Sequence, residues 1–125
     1  MSQTPANVKY TKEHEWVLEN PDGTVRIGIT DYAQGALGDI VYIQLPKVNA
    51  PVKGGSVCGE VESTKSVSEI YAPVGGIVLS VNEKLETNPE LINSDPYGEG
   101  WIAHIGSVEI TEALLTPDEY SKLTA

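Results

Sequence analysis

The chain has 125 residues, of which 40% are hydrophobic, and its 18 acidic and 8 basic side chains give a formal net charge of −10. This length suits one domain with a real core, and no stretch reaches the roughly 20 apolar residues that a membrane-spanning helix needs. A surface this acidic repels phosphate backbones, which argues against nucleic-acid binding and favours basic patches on other proteins. The first residues show neither a secretory signal nor a transit-peptide pattern. We therefore expect a cytoplasmic protein, or one of the mitochondrial matrix if the chain is a processed eukaryotic one.

The first part of the chain is typical of short strands separated by turns. We expect the polar residues 1–7 to be frayed and flexible. A β-hairpin is predicted over 15–30, where apolar and polar residues alternate on either side of the turn NPDG. Asp31 is expected to cap a short helix that ends at Gly38. The β-branched run DIVYIQL then predicts a strand that stops at Pro46.

The middle of the chain contains a weak internal repeat. The segments PVKGGSVCGEV and PVGGIVLSV share Pro-Val, then Gly-Gly, then a strand that contains valine. They flank the segment ESTKSV, so a hairpin that joins two related half-sheets would place Lys65 at a protruding tip. Cys58 is the single cysteine, and its apolar neighbours predict a buried thiol without a catalytic role.

The last part of the chain changes character. A loop rich in Pro and Gly, with about one helical turn at 90–93, leads to a short strand in GWIAHIG. The tail 107–125 is predicted to be helical, and three apolar residues would share one face: Ile110, Leu114 and Leu115. Within it Thr116 is the predicted N-cap of a final helix whose first residue is Pro117. Many short strands followed by a C-terminal helix favour a mainly β fold, a flattened barrel or sandwich, over 1–125.

Lys65 stands between two small hydroxylated residues, Thr64 and Ser66, in a turn between two predicted strands. Small neighbours leave its side chain free to extend. A solvated lysine amine is protonated at neutral pH and is a weak nucleophile, so Schiff-base chemistry is not expected. An exposed and uncrowded lysine at a fixed position suits covalent modification by an enzyme that must reach around it.

Four blocks of the sequence occur in an order that resembles the glycine cleavage H-protein family: YTKEHEWV, IGITDYAQGALGDIVYIQLP, GEVESTKSVSEIYAPVGGIV and LINSDPYGEGWI. The resemblance covers nearly the whole chain. It implies a lipoyl-domain-like fold, a barrel-sandwich hybrid of two antiparallel sheets with short helices and a C-terminal helix. It also implies that lipoate is attached to Lys65 as N6-lipoyllysine. Family members often have Val before this lysine and Ala after it, where this chain has Thr64 and Ser66.

The same resemblance implies a non-catalytic, monomeric carrier in a multienzyme system. The carrier would take an aminomethyl group from the pyridoxal-phosphate glycine decarboxylase (P protein) to the folate-dependent aminomethyltransferase (T protein). Dihydrolipoamide dehydrogenase (L protein) would then reoxidise the lipoyl-lysine side chain (the arm). A lipoyl-attaching enzyme would have attached the lipoyl group to the lysine. No catalytic or metal-binding residue is expected in this chain.

Three carboxylates are candidates for recognition of partners or for binding of the loaded arm. Glu62 and Glu69 bracket the tip and are predicted to serve recognition by a partner or the attaching enzyme, since surface charges contribute little to stability. Glu15 is predicted to help hold the loaded arm in a cleft, because a cation that enters a cleft needs a charged partner. Strand alternation predicts that only one of Glu15 and its aromatic neighbour Trp16 points inward.

Four other interpretations of the sequence assign a different class of protein or a different role. Biotin carriers use a similar hairpin but flank the lysine with methionines, and the only methionine here is Met1. Lipoyl domains of 2-oxoacid dehydrogenases usually have Asp before the lysine and Pro/Ala-rich linkers, both absent here. An enzyme would rely on His14 and His104, which lie 90 residues apart and lack metal-ligand spacing; a satisfied strand residue is the expectation for His104. An H-like protein that mainly donates lipoyl groups to other enzymes stays open.

Overall fold

The computed structural model describes residues 3–111 and 113–124, and within them the chain forms nine strands and four short helices. The strands are β1 (Lys9–Tyr10), β2 (Glu15–Glu19), β3 (Val25–Ile29), β4 (Ile40–Gln44), β5 (Pro51–Val52), β6 (Val57–Ser63), β7 (Val67–Tyr71), β8 (Gly75–Val81) and β9 (Ala103–Glu109). The helices are α1 (Asp31–Leu37), α2 (Lys84–Thr87), α3 (Leu91–Ser94) and α4 (Pro117–Leu123). Residues 3–7 lie outside any helix or strand, and Met1 and Ser2 lie outside the described residues, so the fraying of 1–7 stays a prediction.

Two antiparallel sheets share one apolar core. The larger has the strand order β1-β2-β3-β9-β8-β5 and the smaller has the order β4-β6-β7. Val17, Ile27 and Ile105 from the first sheet and Ile43 and Val61 from the second are each no more than 3% exposed and belong to one cluster. Burial of such aliphatic side chains contributes about 1.5–3 kcal/mol each before entropy is counted. The predicted mainly β fold with two antiparallel sheets, short helices and a C-terminal helix is confirmed.

A second, aromatic cluster covers the other face of β2. Val8, Tyr10, Trp16 and Tyr120 are buried there, and the rings of Tyr10 and Tyr120 stack with centroids 4.4 Å apart. The prediction that only one of Glu15 and Trp16 points inward is therefore wrong, since both are buried on opposite faces of a strand that is covered on both sides. Period-2 alternation assumes one solvated face, and the aromatic cluster removes it.

Helix α1 is capped by Thr30 and not by Asp31 as predicted. Thr30 keeps an extended backbone, and its Oγ1 accepts the N–H of Ala33 at 3.1 Å, whereas Asp31 is already the first helical residue. Gly38 ends the helix as predicted, with a φ of 85° that favours glycine. The backbone N–H of Gly38 still donates to the carbonyl of Gln34, at 2.9 Å.

The tail is mostly not helical, so the prediction of a helix over 107–125 is wrong for 107–109 and for the described residues up to 116. Strand β9 continues to Glu109, and Ile110 is 55% exposed. Leu115 exchanges two backbone hydrogen bonds with Tyr10, of 3.0 and 2.7 Å, which extends the sheet beyond β1. The pairing with β1 thus satisfies backbone groups that a helix would satisfy locally. Glu112 and Ala125 lie outside the described residues.

The final helix begins as predicted. The Thr116 hydroxyl accepts the N–H of Glu119 at 3.2 Å, and the Glu119 carboxylate accepts the N–H of Thr116 at 2.9 Å. This reciprocal capping box, followed by Pro117 in the first turn, satisfies two N–H groups that would otherwise lack partners. The helix carries Tyr120 into the aromatic cluster. The predicted turn near 90–93 is α3, displaced by one residue.

Candidate modification site and adjoining cleft

Lys65 lies at the tip of the hairpin formed by β6 and β7. Ser63 is buried, and its hydroxyl accepts the N–H groups of Lys65 and Ser66 at 3.2 and 3.1 Å. The N–H of Ser63 donates to the carbonyl of Ser66 at 2.8 Å, which closes the turn. The lysine side chain is exposed, and it takes part in neither of the two ion pairs among the described residues. The backbone of the tip is therefore held by hydrogen bonds, and its amine is open to solvent.

The loop between α1 and β4 supports one side of this tip. The carbonyl of Asp39 accepts the N–H of Thr64 at 3.1 Å. A Cβ atom added at Gly38 would lie 3.3 Å from the Cε of Lys65, so the aliphatic stem of the lysine runs along this loop. Asn93 fixes the loop, because its amide donates to the Gly38 carbonyl at 2.9 Å and its Oδ1 accepts the N–H of Ile40 at 2.9 Å.

The outer face of the smaller sheet, next to Lys65, combines acidic and apolar side chains. Glu62 is paired with Tyr42 on one side and with Val67 on the other. Tyr42 is 57% exposed and Val67 is 55% exposed, which is high for large apolar residues. Sequence reasoning found Glu62 but missed these two neighbours, since the pairing of β4 with β6 and β7 brings them together across the sheet.

Glu69 lies two pairs further from the tip, directly opposite Glu60. Like charges placed opposite each other in an antiparallel pair are destabilising. Both side chains are exposed, and the hydroxyl of Tyr71 donates to the Glu69 carboxylate at 3.3 Å. The two predicted recognition residues, Glu62 and Glu69, therefore lie on the same acidic face as Glu60.

A cleft of about 470 Å³ opens beyond the far end of β7. Its described lining comprises Thr11, Lys12, Glu13, Gly55, Tyr71, Ala72, Pro73 and Ala113. Thr11 and Glu13 belong to the turn that enters β2, and Tyr71 is the last residue of β7. The cleft thus lies between the first hairpin and the lysine-bearing hairpin.

Glu15 lies beneath this cleft and is 2% exposed. Its Oε1 accepts the Thr11 hydroxyl at 2.7 Å and its Oε2 accepts the N–H of Tyr71 at 3.2 Å, so both partners are residues of the cleft lining. Burial raises the pKa of Glu15 from 4.5 to about 7, and these two hydrogen bonds oppose the rise. A carboxyl group in this state can be protonated or ionised near neutral pH.

Trp16, the aromatic neighbour of Glu15, does not line the cleft. Its indole packs on Gly28, where an added Cβ would come within 2.6 Å of the ring, and its Nε1–H donates to the carbonyl of Pro96 at 3.0 Å. Trp16 therefore belongs to the aromatic cluster, and among the described residues the cleft takes its aromatic surface from Tyr71.

The structure places the remaining sequence candidates in β6, in β9 and in the turn before β2. Cys58 is half-buried, and desolvation, reinforced by the nearby Glu15 carboxylate, raises the pKa of its thiol to about 12. His104 lies in β9, where its Nε2 is 3.1 Å from both Asn20 and Thr24, as expected of a satisfied strand residue. His14 contacts Tyr120 instead of His104. Across residues 3–111 and 113–124, no group of three His, Cys, Asp or Glu side chains could hold a metal ion, and no helix is long and apolar enough to cross a membrane.

The two sheets and the lysine at a hairpin tip define a lipoyl-domain-like carrier fold. A crystal structure of a glycine cleavage system H protein from Mycobacterium marinum has the same fold, with a TM-score of 0.88 and 45% identity, over 94% of this chain and 96% of that one. Among curated relatives, the glycine cleavage system H proteins of Mycolicibacterium vanbaalenii and Mycolicibacterium smegmatis are 62% and 63% identical over 105 residues. In each case the match covers 84% of this chain and 80% of the relative.

The family model described as "Glycine cleavage H-protein" matches residues 8–125. The chain therefore belongs to the glycine cleavage H-protein family, as the sequence blocks indicated. Proteins of this family are lipoate-bearing carrier components of the glycine cleavage system.

Proposed function

We propose that this protein is the lipoylated shuttle of a glycine cleavage system, with the arm attached to Nζ of Lys65. The observation that carries the proposal is the combination of an exposed lysine on a rigid hairpin and a cleft with a buried carboxyl group beside the same hairpin. When bound, lipoate supplies a disulfide and dithiol pair that can accept and release an aminomethyl group and two electrons.

Helix α1 connects the loop beside the lysine with the turn before β2. Gly38 at the end of the helix lies beside Lys65, and Thr30 before its start donates its N–H to the carbonyl of His14 at 3.0 Å. The eight steps from Thr30 to Gly38 correspond to about 12 Å of helix. The proposal requires that an arm on Lys65 folds back along α1 toward this turn.

Glu15 would then meet the cationic end of the loaded arm. An aminomethyl group carries a protonated amine, and an unpaired cation in a cleft is unfavourable. An approaching ammonium favours the ionised carboxylate, so Glu15 would release its proton and pair with the cation, directly or through Thr11. The cleft would also limit the access of water to a group that water decomposes.

The outer face of the smaller sheet would recognise partners and the attaching enzyme. Glu62 supplies charge at its centre, while Tyr42 and Val67 supply exposed apolar surface. The destabilising juxtaposition of Glu60 and Glu69 is understandable if a basic partner surface neutralises it. The partners we propose are the glycine decarboxylase, the aminomethyltransferase, dihydrolipoamide dehydrogenase and the lipoyl-attaching enzyme. They would act on a cytoplasmic, monomeric carrier that is not itself an enzyme.

The attachment is tested by intact mass. Incubation of the protein with lipoate, ATP and a lipoyl ligase should add one lipoyl group, located to the peptide that contains Lys65. Lys65→Arg keeps the charge and should remain unmodified, while the exposed Lys53→Arg is a matched control that should be modified normally. Modification of the Lys65→Arg variant would refute the assignment.

The cleft is tested by the release of formaldehyde from aminomethyl-loaded protein. Wild-type protein should release it more slowly than free aminomethyl-dihydrolipoamide, and Glu15→Ala should release it faster than wild type while still folded. Release at the wild-type rate would exclude Glu15 from this role. Release from the wild type at the rate of the free compound would exclude the cleft.

A further inference from the structure

Tyr120 joins the C-terminal helix to the turn that enters β2. Its side chain is 1% exposed, and its Oη lies 2.8 Å from Nδ1 of His14 and 2.7 Å from Oγ1 of Thr30. The three residues come from parts of the chain that are far apart, since His14 and Tyr120 are separated by 106 positions. A buried hydroxyl with two polar partners in well-formed hydrogen bonds is a specific connection rather than general packing.

The protons of this chain of hydrogen bonds have one consistent order. Oγ1 of Thr30 already accepts the N–H of Ala33, and Thr30 is fully buried. Among the described residues, only Tyr120 Oη can then accept the Thr30 hydroxyl proton. In the arrangement that gives both hydroxyl protons an acceptor, Thr30 donates to Tyr120 and Tyr120 donates to Nδ1 of His14. This arrangement requires His14 to be the neutral tautomer with its proton on Nε2.

His14 governs the geometry of the cleft turn. Its φ of 71° is in the left-handed region, which few residues other than glycine adopt. Its N–H donates to the carbonyl of Thr11 at 3.1 Å, and its carbonyl accepts the N–H of Thr30. This backbone conformation brings Thr11 next to Glu15, so that the Thr11 hydroxyl donates to the Glu15 carboxyl at 2.7 Å.

We propose that Tyr120 and His14 are positioning residues for the arm cleft: the hydrogen bond between them fixes the turn 11–15, and with it the placement of Glu15. The C-terminal helix thereby helps to shape a site to which it contributes no lining residue among those described. The functional consequence rests on the proposed shuttle role. The structural claim does not depend on it.

The test compares Tyr120→Phe with wild-type protein. Phenylalanine keeps the stacked ring against Tyr10 and removes only the hydroxyl. Tyr97→Phe is the matched control, because its hydroxyl also makes two hydrogen bonds, with the N–H of Asp31 and the carbonyl of Gln3, and neither reaches the turn. In aminomethyl-loaded protein, Tyr120→Phe should speed formaldehyde release roughly fivefold, the factor that corresponds to one hydrogen bond, while Tyr97→Phe should not. In a Glu15→Gln background, Tyr120→Phe should add little.

Two measurements on unloaded protein separate this inference from the shuttle proposal. Nitrogen NMR should show Nδ1 of His14 unprotonated and Nε2 protonated in the wild type. Carbon NMR of the Glu15 carboxyl should show a displaced titration curve in Tyr120→Phe and an unchanged one in Tyr97→Phe. If the wild type fails to protect its cargo but these spectra behave as stated, the shuttle cleft fails and the positioning role stands. A proton on Nδ1, or a Glu15 titration unaffected by Tyr120→Phe, would overturn the positioning role.

A second pair of variants decides the matter if Tyr120→Phe does not fold. His14→Gly removes the imidazole without straining the backbone, because glycine tolerates a positive φ. His14→Asn also tolerates that conformation and places Oδ1 near the position of Nδ1, where it can accept the Tyr120 proton. The Glu15 titration should be displaced in His14→Gly and restored in His14→Asn. Equal titration curves in the two variants would contradict the proposal.

Discussion

Replacement of Glu15 by Gln should make the folded protein more stable at alkaline pH, although it removes a buried charge that the proposed function uses. In the folded protein, burial raises the pKa of Glu15 from 4.5 to about 7. Below pH 4.5 the folded and unfolded chains both carry the proton, so the stability due to the neutral carboxyl is fully present. Between pH 4.5 and 7 unfolding releases a proton, and stability is lost as the pH rises.

The size of the loss in folding stability follows from the shift in the pKa of Glu15. Each pKa unit corresponds to 1.36 kcal/mol, so a rise from 4.5 to about 7 gives a loss on the order of 3 kcal/mol above pH 7. Glutamine is neutral at every pH and has nearly the same shape. Its oxygen can accept the N–H of Tyr71 as Glu15 does, and its amide can donate to Oγ1 of Thr11, which keeps that contact with the donor and acceptor exchanged. Glu15→Gln should therefore escape most of this loss.

The assay is urea unfolding of wild type and Glu15→Gln between pH 5 and pH 8. The variant should gain stability relative to wild type as the pH rises, up to about 3 kcal/mol at pH 8. The contribution of His14 to the pH dependence of stability has the opposite sign. Burial lowers its pKa from 6.5, so stability is lost as the pH falls below 6.5. Both proteins contain His14, so its contribution cancels in the difference. Glu13→Gln, an exposed neighbour, should follow the wild type.

Parallel stability curves for wild type and Glu15→Gln from pH 5 to 8 would refute the reasoning. They would mean that Glu15 is ionised in the folded protein over the whole range. Such a result would also remove the proton release that we expect when a cation docks in the cleft.

Three further predictions concern the tip and the core. Replacement of Glu62 and Glu69 together by Gln should slow lipoylation severalfold, most at low salt, and change stability by less than about 1 kcal/mol, because both are exposed. Gly38→Ala should cost about 1–3 kcal/mol, since its φ of 85° suits glycine, and should slow lipoylation because the methyl group meets the Lys65 stem. Cys58 should react with iodoacetamide at pH 8 roughly a thousandfold more slowly in the folded protein than in urea, since the pKa of its thiol is about 12.

Each of these has an outcome that contradicts it. Normal ligase kinetics in the double Gln variant would leave Glu62 and Glu69 as solvated charges without a role in recognition. Unimpaired lipoylation of Gly38→Ala would show that the lysine stem moves freely off the loop. Rapid alkylation of Cys58 would show that β6 opens on the timescale of the assay.

The hairpins were predictable because their signals are local. The NPDG turn and the alternation around it define β2 and β3, and the small residues around Lys65 define the tip. The capping box at Thr116 was also local, so the start of α4 was predicted correctly. The spacing of Ile110, Leu114 and Leu115 suited a helix equally well, but the pairing of Leu115 with Tyr10 depends on a strand about a hundred residues earlier in the chain.

The candidate site was predictable in its attachment point and less so in its surroundings. Lys65 and the two acidic recognition candidates lie in one contiguous segment, and the family blocks include it. Tyr42 joins them only through the pairing of β4 with β6. The burial of Glu15 depends on residues that pack against both faces of β2. Ser63 carried a signal that could have been used, since a serine before a tight turn often accepts backbone N–H groups.

Helix α1 links the loop beside the lysine to the turn before β2 through contacts at both of its ends. Its seven residues lie between Thr30, which donates its N–H to His14, and Gly38, which lies beside Lys65. Lys65 itself is held by β6 and β7, so an insertion in α1 would leave the lysine on its hairpin. A one-residue insertion would rotate the end of the helix by roughly 100° and displace Gly38 from the lysine stem, whereas a four-residue insertion would nearly restore the helical face. The length of α1 therefore determines how this loop meets the lysine-bearing tip.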